Sequence, residues 1–298
     1  MKIDAAFTLR KVFAELVAGV IPGKMARNRW RGILRYGLIR AALLRRRMLN
    51  DKTVPRHYLA VCAIAKNEGP YFEEWIEWHR GMGVEKFYIY DNESTDDTKK
   101  ILAPYVESGL VEYVFWPGMK RQLPAYDDCI NKYRLDSRWL AVIDLDEFIV
   151  PVKDKTIHEF LRRFEEFSVV EINWLIYGSG GAKKKESGGV MERFKYHSLP
   201  NDISNRRVKS IVDPRRVCSF IGCHEAARIS GRAADSHGQP IKKNYYDREP
   251  QQDVIRINHY AVKSYEEFLE KRARGRARIA KQRNLDYFDK YDMNDLKD

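Results

Sequence analysis

A chain of 298 residues, 44% hydrophobic and 32% charged, is long enough for one large domain or two small ones and too apolar for a disordered polymer. Its net charge of +12 would suit a nucleic-acid binder, but 12 Lys/Arg against 2 Asp/Glu fall in residues 1–50, while the other 248 residues carry 42 against 40. The domain beyond the arm therefore lacks the basic field of a nucleic-acid groove, and nucleic acid is not expected as a partner.

Residues 1–54 read as a basic amphipathic arm, two helices broken at Ile21-Pro22-Gly23. No run of 18 apolar residues predicts a membrane-spanning helix, and Glu15 spoils the short apolar stretch as a secretory signal. The second helix, Met25 to Met48, sets Trp30, Ile33, Leu34, Leu38 and Ile39 among arginines on both flanks. That pattern favours a helix lying on an anionic membrane surface over one packing its stripe on the domain. Cys62, Cys129, Cys218 and Cys223 form no disulfide framework, which sets a reduced, cytoplasmic compartment as the default. Cys218, Cys223 and His224 match no common zinc spacing.

From residue 55 strands alternate with helices. Strands are predicted at 58–68, 85–94, 110–116 and 139–150, and helices at 70–83, 94–109 and 124–136. Ser94 with Asp97 suggests a capping box at the second helix, and Gly109 its end. A helix at 156–167 and a strand at 168–181 running into a glycine-rich loop follow. The pattern assigns no element to 200–250. A last strand leads to Asn258-His259-Tyr260, and a helix opens at Ser264 with Glu267 as capping box. Residues 277–298 read as a charged tail, leaving 55–276 as the domain. This alternation predicts an α/β fold with a mostly parallel central sheet covered by helices on both faces.

In such sheets ligands bind beyond the carboxyl ends of the strands. Three polar clusters fall there: Lys66-Asn67-Glu68, Asp91-Asn92-Glu93, and Asp144, Asp146 and Glu147. No GxGxxG or Walker A motif is present. Asp144 and Asp146 stand one residue apart where an apolar strand stops, and like charges so close call for a cation between them. Mg²⁺ or Mn²⁺ would serve and would keep positions open for the oxygens of a nucleotide diphosphate, stabilising its departure.

"CAIAKNE", "YIYDNESTDDT", "IDLDEF", "NWLIYGSGG", "ERF" and "INHYAVKSYEEFLEK", in this order, resemble glycosyltransferase family 92, a family-2-related group with the GT-A fold. The resemblance covers roughly residues 58–276. It implies a metal-dependent hexosyltransferase using a UDP-sugar donor and a glycan or glycolipid acceptor. Asn67, Glu68 and Asp91, with Lys66 and Asn92 beside them, would meet the nucleotide. Asp144 would face the ribose or the metal shell, Asp146 would ligate the metal, and His259 would add a further ligand. Lys263 and Lys271 would neutralise the diphosphate. Trp174, Tyr177, Gly178 and Ser179 would form the acceptor side. Glu192 is the favoured base, with Glu225 and His224 as the other candidates.

With the arm at the inner face of a membrane, the expected setting is lipopolysaccharide or capsule assembly. Two alternatives compete. A haloacid-dehalogenase-like phosphatase also carries Asp-x-Asp, but its motif does not continue with Glu147-Phe148. A non-enzymatic basic membrane-binding protein would owe everything to the arm.

Overall fold

The computed structural model describes residues 5–275 and 283–298. Three helices form the arm: α1 (Ala5–Gly19), α2 (Lys24–Tyr36) and α3 (Leu38–Asn50). The break at Pro22 is as expected. The second predicted helix is itself divided at Gly37, whose φ of +103° lies in the region that favours glycine.

The first half of the domain alternates β1 (His57–Ala65), α4 (Gly69–Gly81), β2 (Lys86–Asp91), α5 (Thr98–Glu107), β3 (Val111–Phe115), α6 (Gln122–Lys132), β4 (Ser137–Val142), β5 (Glu147–Pro151) and α7 (Ile157–Leu161). Beyond these come β6 (Val169–Ile176), α8 (Val190–Arg193), β7 (Tyr196–His197), β8 (Val208–Val212), β9 (Val217–Phe220), β10 (Ala226–Arg228), β11 (Ala233–Ala234), β12 (Ile255–His259), α9 (Tyr265–Ala273), α10 (Asp286–Tyr291) and β13 (Leu296–Lys297).

Among the described residues the main sheet runs β3-β2-β1-β4-β8-β6-β12-β5, with β11 beside β6. β3, β2, β1 and β4 are parallel, β8 lies antiparallel between β4 and β6, and β5 closes the far edge antiparallel to β12. The α/β architecture with a mostly parallel sheet is thus present. β1 shows why its sequence reads as unbroken apolar. Leu59, Val61, Ala63 and Ala65 enter the core under α4 and α5, while Ala60, Cys62 and Ile64 enter the core under α6. Both faces are covered, so alternation vanishes.

Two expected elements differ in ways that bear on function. The predicted strand 139–150 is two strands, β4 and β5, which pair in different parts of the sheet. The acids occupy the turn that carries the chain between them, closed by Glu147 N–H to Asp144 O at 3.1 Å. α5 is capped by Asp96, whose carboxylate accepts from Thr98 N–H at 3.1 Å. Ser94 does not cap it; its hydroxyl oxygen accepts from Asn67 N–H at 2.9 Å and ties the loop after β2 to the loop after β1. The capping box of Ser264 and Glu267 is present as predicted.

β5 is an edge strand, and α4 covers it. Trp75 and Trp78 donate their indole N–H groups to the carbonyls of Glu147 and Ile149 at 2.9 and 3.0 Å. Ile149 N–H in turn donates to His79 Nε2 at 3.2 Å. Burial pushes His79 down to about 4, so it stays neutral and can accept. The helix thus satisfies polar groups that an exposed edge would offer to another chain.

α2 corrects the expectation for the arm's second helix. Its apolar stripe lies on the domain: Ile33 packs with Cys218, Ala227 and Ile229. Gly32 permits the approach, since a Cβ there would stand 2.4 Å from that of Ala227. Asn28 donates to Glu225 Oε2 at 2.9 Å and Arg29 to Arg228 O at 2.9 Å.

At the other end, Phe288 and Tyr291 of α10 enter the main core and β13 pairs with β7. Residues 283–298 are therefore folded onto the domain, although they read as a tail. The boundary expected at 276–277 lies outside the described residues.

Candidate active site

The acid turn brings three carboxyl groups together, and each has a different partner. Asp144 Oδ2 accepts from Lys209 Nζ at 2.7 Å, and its Oδ1 accepts from Gln122 Nε2 and Tyr126 OH, both at 3.1 Å. Glu147 folds back beneath, where Oε2 accepts from Asp144 N–H at 2.9 Å and stands 3.1 Å from Lys209 Nζ. Asp146 points the other way, toward α9 and the end of β12. Its Oδ2 pairs with Lys271 Nζ and lies 3.6 Å from His259 Nε2. Tyr260 N–H donates to Asp146 O at 2.8 Å and fixes the turn against β12.

These partners set the charges. Burial opposes ionisation of Asp144, but Lys209 outweighs it and holds the carboxyl below the usual range. Burial likewise opposes Asp146, and Lys271 with His259 holds it well below. Glu147 goes the other way: burial, reinforced by Asp144 and Asp146, pushes it up to about 8 despite Lys209. At neutral pH the turn thus carries two negative carboxylates and one protonated carboxyl. Burial works against the Lys209 ammonium too, but Asp144 and Glu147 hold it well above the ordinary lysine value.

A second layer of cations faces the same edge. Lys263 Nζ lies 3.4 Å above the centre of the Tyr71 ring and 4.0 Å from Glu68 Oε2. Burial pushes Lys263 down to about 8 and pulls Lys271 below its usual value. Arg274, just past α9, grips Glu68 and donates to Asn67 O at 3.1 Å. Glu68 therefore serves as an anchor between the β1 exit and α9. Among the described residues, Glu68 Oε2, Glu147 Oε1, His259 Nδ1 and Trp174 Nε1 are buried without a hydrogen-bond partner. Two of them belong to the rings of His259 and Trp174, whose centres lie 4.1 Å apart beside Asp146, and a polar ligand there would satisfy them.

The β2 exit forms the adjoining wall. Asp91 accepts from Tyr113 OH at 2.5 Å and from Ser94 N–H at 2.9 Å. Asn92 donates to Trp116 O and Gly118 O, both at 2.9 Å. Asn67 takes φ +52° and accepts from Thr95 N–H at 2.7 Å, while Lys66 is half-buried beside it. These groups brace three loops along one sheet edge.

A model of glycosyltransferase family 92 matches residues 57–292. The chain belongs to glycosyltransferase family 92. A family 92 protein of Oryza sativa subsp. japonica is 32% identical over 220 residues, 72% of this chain and 35% of its own length. A beta-1,4-galactosyltransferase of Caenorhabditis elegans is 28% identical over 222 residues, covering 67% of this chain and 47% of its own. The chain thus spans between a third and a half of the length of these relatives. Among solved structures, Staphylococcus aureus TarS 1–349 aligns with 53% of this chain and 47% of its own, at 14% identity and a TM-score of 0.36.

As a metal centre, this family 92 site offers less than the sequence suggested. Among the described residues no three His, Cys, Asp or Glu side chains gather to hold an ion. Asp144 is not free to join, because Lys209, Gln122 and Tyr126 occupy both its oxygens. Asp146, whose Oδ2 is paired with Lys271, and His259 Nε2 remain. Burial keeps His259 below its usual pKa, so the imidazole is neutral and able to ligate. Two such ligands fit Mg²⁺ or Mn²⁺, which take the rest of their shell from phosphate oxygens and water.

The proposed acceptor and base residues scatter. Trp174 lies against His259, ring centres 4.1 Å apart, and against His224 at 5.3 Å. Tyr177 is buried, with its hydroxyl on Asp298 and within 3.2 Å of Arg256. Gly178 and Ser179 are covered by the C-terminal segment: Ser179 N–H donates to Asp292 at 2.6 Å, and a Cβ on Gly178 would meet Met293 O at 2.4 Å. The C-terminal segment, not a sugar, thus takes up these groups. Glu192 is exposed on α8. Glu225 faces the arm, with Asn28 and Asn244 each 2.9 Å from one of its oxygens. His224 alone of the three reaches the cluster, where burial and Lys209 push it down to about 3.

Lys209 is the residue that sequence reasoning missed. It is the single charge in the buried strand "VKSIV", and a lone lysine in an apolar strand is a signal for a buried acid partner.

Proposed function

We propose that this chain transfers a hexosyl unit from a UDP-sugar to a hydroxyl of a glycan or glycolipid, with galactose the first sugar to test. The observation that carries this reading is the meeting of Asp146, His259 and Lys271 at the sheet edge, with Lys263 behind them. The C. elegans relative named a beta-1,4-galactosyltransferase supports the sugar.

Asp146 and His259 are the residues that would hold Mn²⁺ or Mg²⁺. Once bound, the ion would neutralise the diphosphate as a Lewis acid. Lys271 is poised to share its protons between Asp146 and a phosphate oxygen. Lys263, which burial pushes down to about 8, would hold its proton more firmly when a diphosphate approaches. The braced loops carrying Asn67, Asp91 and Asn92 form a rigid cradle for the nucleoside. Lys209, Gln122 and Tyr126 take up both oxygens of Asp144, so Asp146, whose Oδ2 is shared with Lys271, is the carboxylate that would meet a metal. We infer an acceptor in lipopolysaccharide or capsule assembly, at the cytoplasmic face of a membrane. This placement rests on the basic arm.

The test is UDP release from UDP-galactose, UDP-glucose and UDP-N-acetylhexosamines with Mn²⁺ or Mg²⁺, with and without oligosaccharide acceptors. At least one donor should turn over in the wild type and not in Asp146→Asn. Equal UDP release by both proteins would refute the assignment.

A further inference from the structure

α1 is turned inside out for a helix in water. Its small residues Ala14 and Ala18 are fully buried against Leu34 of α2. Its large apolar residues with described side chains, Val12, Phe13, Leu16 and Val17, are exposed, from 36% at Val17 to 69% at Leu16, and Val20, just past its end, is 83% exposed. At 3.6 residues per turn the four within the helix share one face, opposite the two alanines. A soluble helix hides its large apolar side chains; over residues 12–19 this one buries methyl groups and shows its larger side chains to solvent.

α3 repeats the arrangement with charge added. Leu38, Ile39, Leu43 and Leu49 are exposed along one side, and Arg40, Arg45, Arg46 and Arg47 are exposed around them. The one acid within α1–α3 with a described side chain, Glu15, is already taken by Arg31 and Arg35 at 2.8 and 2.9 Å, and Asp51, just past α3, accepts from Thr53 N–H at 2.9 Å. Among the described residues, Arg47 has the Asp51 carboxylate near it, and no ion pair is formed by Arg40, Arg45 or Arg46. α2 lies between, anchored to the domain through Gly32, Asn28 and Arg29. Docking of α2 accounts for one helix of the arm and leaves two apolar faces bare.

We propose that α1 and α3 form the surface by which this chain seats on a bilayer of anionic phospholipid. The large side chains of α1 enter the acyl boundary, and the α3 arginines meet the headgroup phosphates. The net charge of +10 over residues 1–50 sets the partner's sign, and bare valine, leucine and phenylalanine set its apolar interior. The surface also bears on the candidate site. Asn28 of α2 holds Glu225, whose neighbour His224 packs on Trp174 beside His259. A membrane-seated arm would thus bring the Trp174 side of the cluster near lipid-borne acceptors. The lipid surface stands independently of the donor reading.

The test is co-sedimentation of the full chain with phosphatidylcholine–phosphatidylglycerol vesicles and with phosphatidylcholine alone, with light scattering in parallel. The wild type should bind the mixed vesicles and prefer them roughly tenfold or more at low salt, less as salt rises. F13E/L16E/V17E should lose vesicle binding while keeping the wild-type melting temperature, because all three side chains are exposed. R40E/R45E/R46E/R47E should lose the preference for anionic lipid. Absence of vesicle binding by the wild type would overturn the proposal, as would binding that survives in both variants. A wild-type dimer that F13E/L16E/V17E dissolves, without vesicle binding, would assign the face to a second copy instead and equally overturn it. Loss of UDP binding would leave the vesicle result untouched, so the two readings fail separately.

Discussion

Replacing Lys209 by methionine removes the cation beneath the acid turn and leaves an unbranched side chain one atom shorter. Lys209 is almost fully buried and reaches Asp144 at 2.7 Å and Glu147 at 3.1 Å. Deleting one partner of a buried ion pair costs about 3–5 kcal/mol, because the other charge is stranded. Two features place this site toward the low end. Glu147, at about 8, is already mostly protonated at neutral pH. Asp144 keeps partial contact with water and two neutral donors. A loss of about 3 kcal/mol follows, or about 6–12 °C in melting temperature at the usual 2–4 °C per kcal/mol for a domain this size.

The pH dependence is specific. Without Lys209, burial is no longer outweighed, and the Asp144 carboxyl rises in the native state relative to the unfolded chain. The deficit is therefore largest near pH 7 and shrinks as pH falls through the carboxylate range, where the unfolded chain protonates as well. Asp144→Asn on top of Lys209→Met should restore much of the loss. Thermal or urea unfolding of the three variants at pH 7 and pH 4.5 checks this. A Lys209→Met protein within 1 kcal/mol of wild type at pH 7, or one whose deficit ignores pH, would refute the electrostatic account.

UDP affinity should be full below about pH 8 and fall above it, by up to about tenfold per pH unit, as Lys263 loses the proton that diphosphate binding favours; Lys263→Met should flatten the profile in titration calorimetry. The same depressed value means that the unfolded chain binds more protons between about 8 and 10.5, so Lys263 makes the fold gain stability as pH rises through that window. Gly178→Ala should lower stability by about 1–3 kcal/mol and loosen residues 292–298, seen as faster amide exchange there, because the new Cβ meets Met293 O and Asn294.

Local pattern carried much of the fold. The strand–helix alternation from β1 to β4 is readable because each strand is a short apolar run and each helix has its own periodicity or cap. β5 was not readable as separate, because apolar residues continue on both sides of the acids and nothing local marks a change of partner strand. β8 to β11 are short, and they are specified by what they pair with rather than by pattern. The arm's α2 could be read either way from its amphipathic stripe, and only Gly32 hinted that a backbone would approach closely.

At the site, Asp146, His259, Lys263 and Lys271 were legible and do meet. The partner of Asp144 was not: a metal was expected, and a lysine from an unassigned stretch takes the place. Tyr177, Gly178 and Ser179 looked like a flexible acceptor loop, because glycine-rich sequence does not reveal that the chain's own last residues cover it. Glu192 was chosen by position after that loop, and position alone could not tell an exposed helix from a cleft.

The central claim is that Asp146 and His259 hold a divalent ion together with a uridine diphosphate. Calorimetric titration of UDP, with and without Mn²⁺, into wild type, Asp146→Asn and His259→Ala tests it most directly. Mn²⁺ should strengthen UDP binding to the wild type at least tenfold, and either substitution should remove that gain at a temperature where thermal unfolding shows each variant folded, since Asp146→Asn also strands Lys271 and lowers the melting temperature. UDP binding that Mn²⁺ does not change, or a gain that survives in both variants, would contradict it.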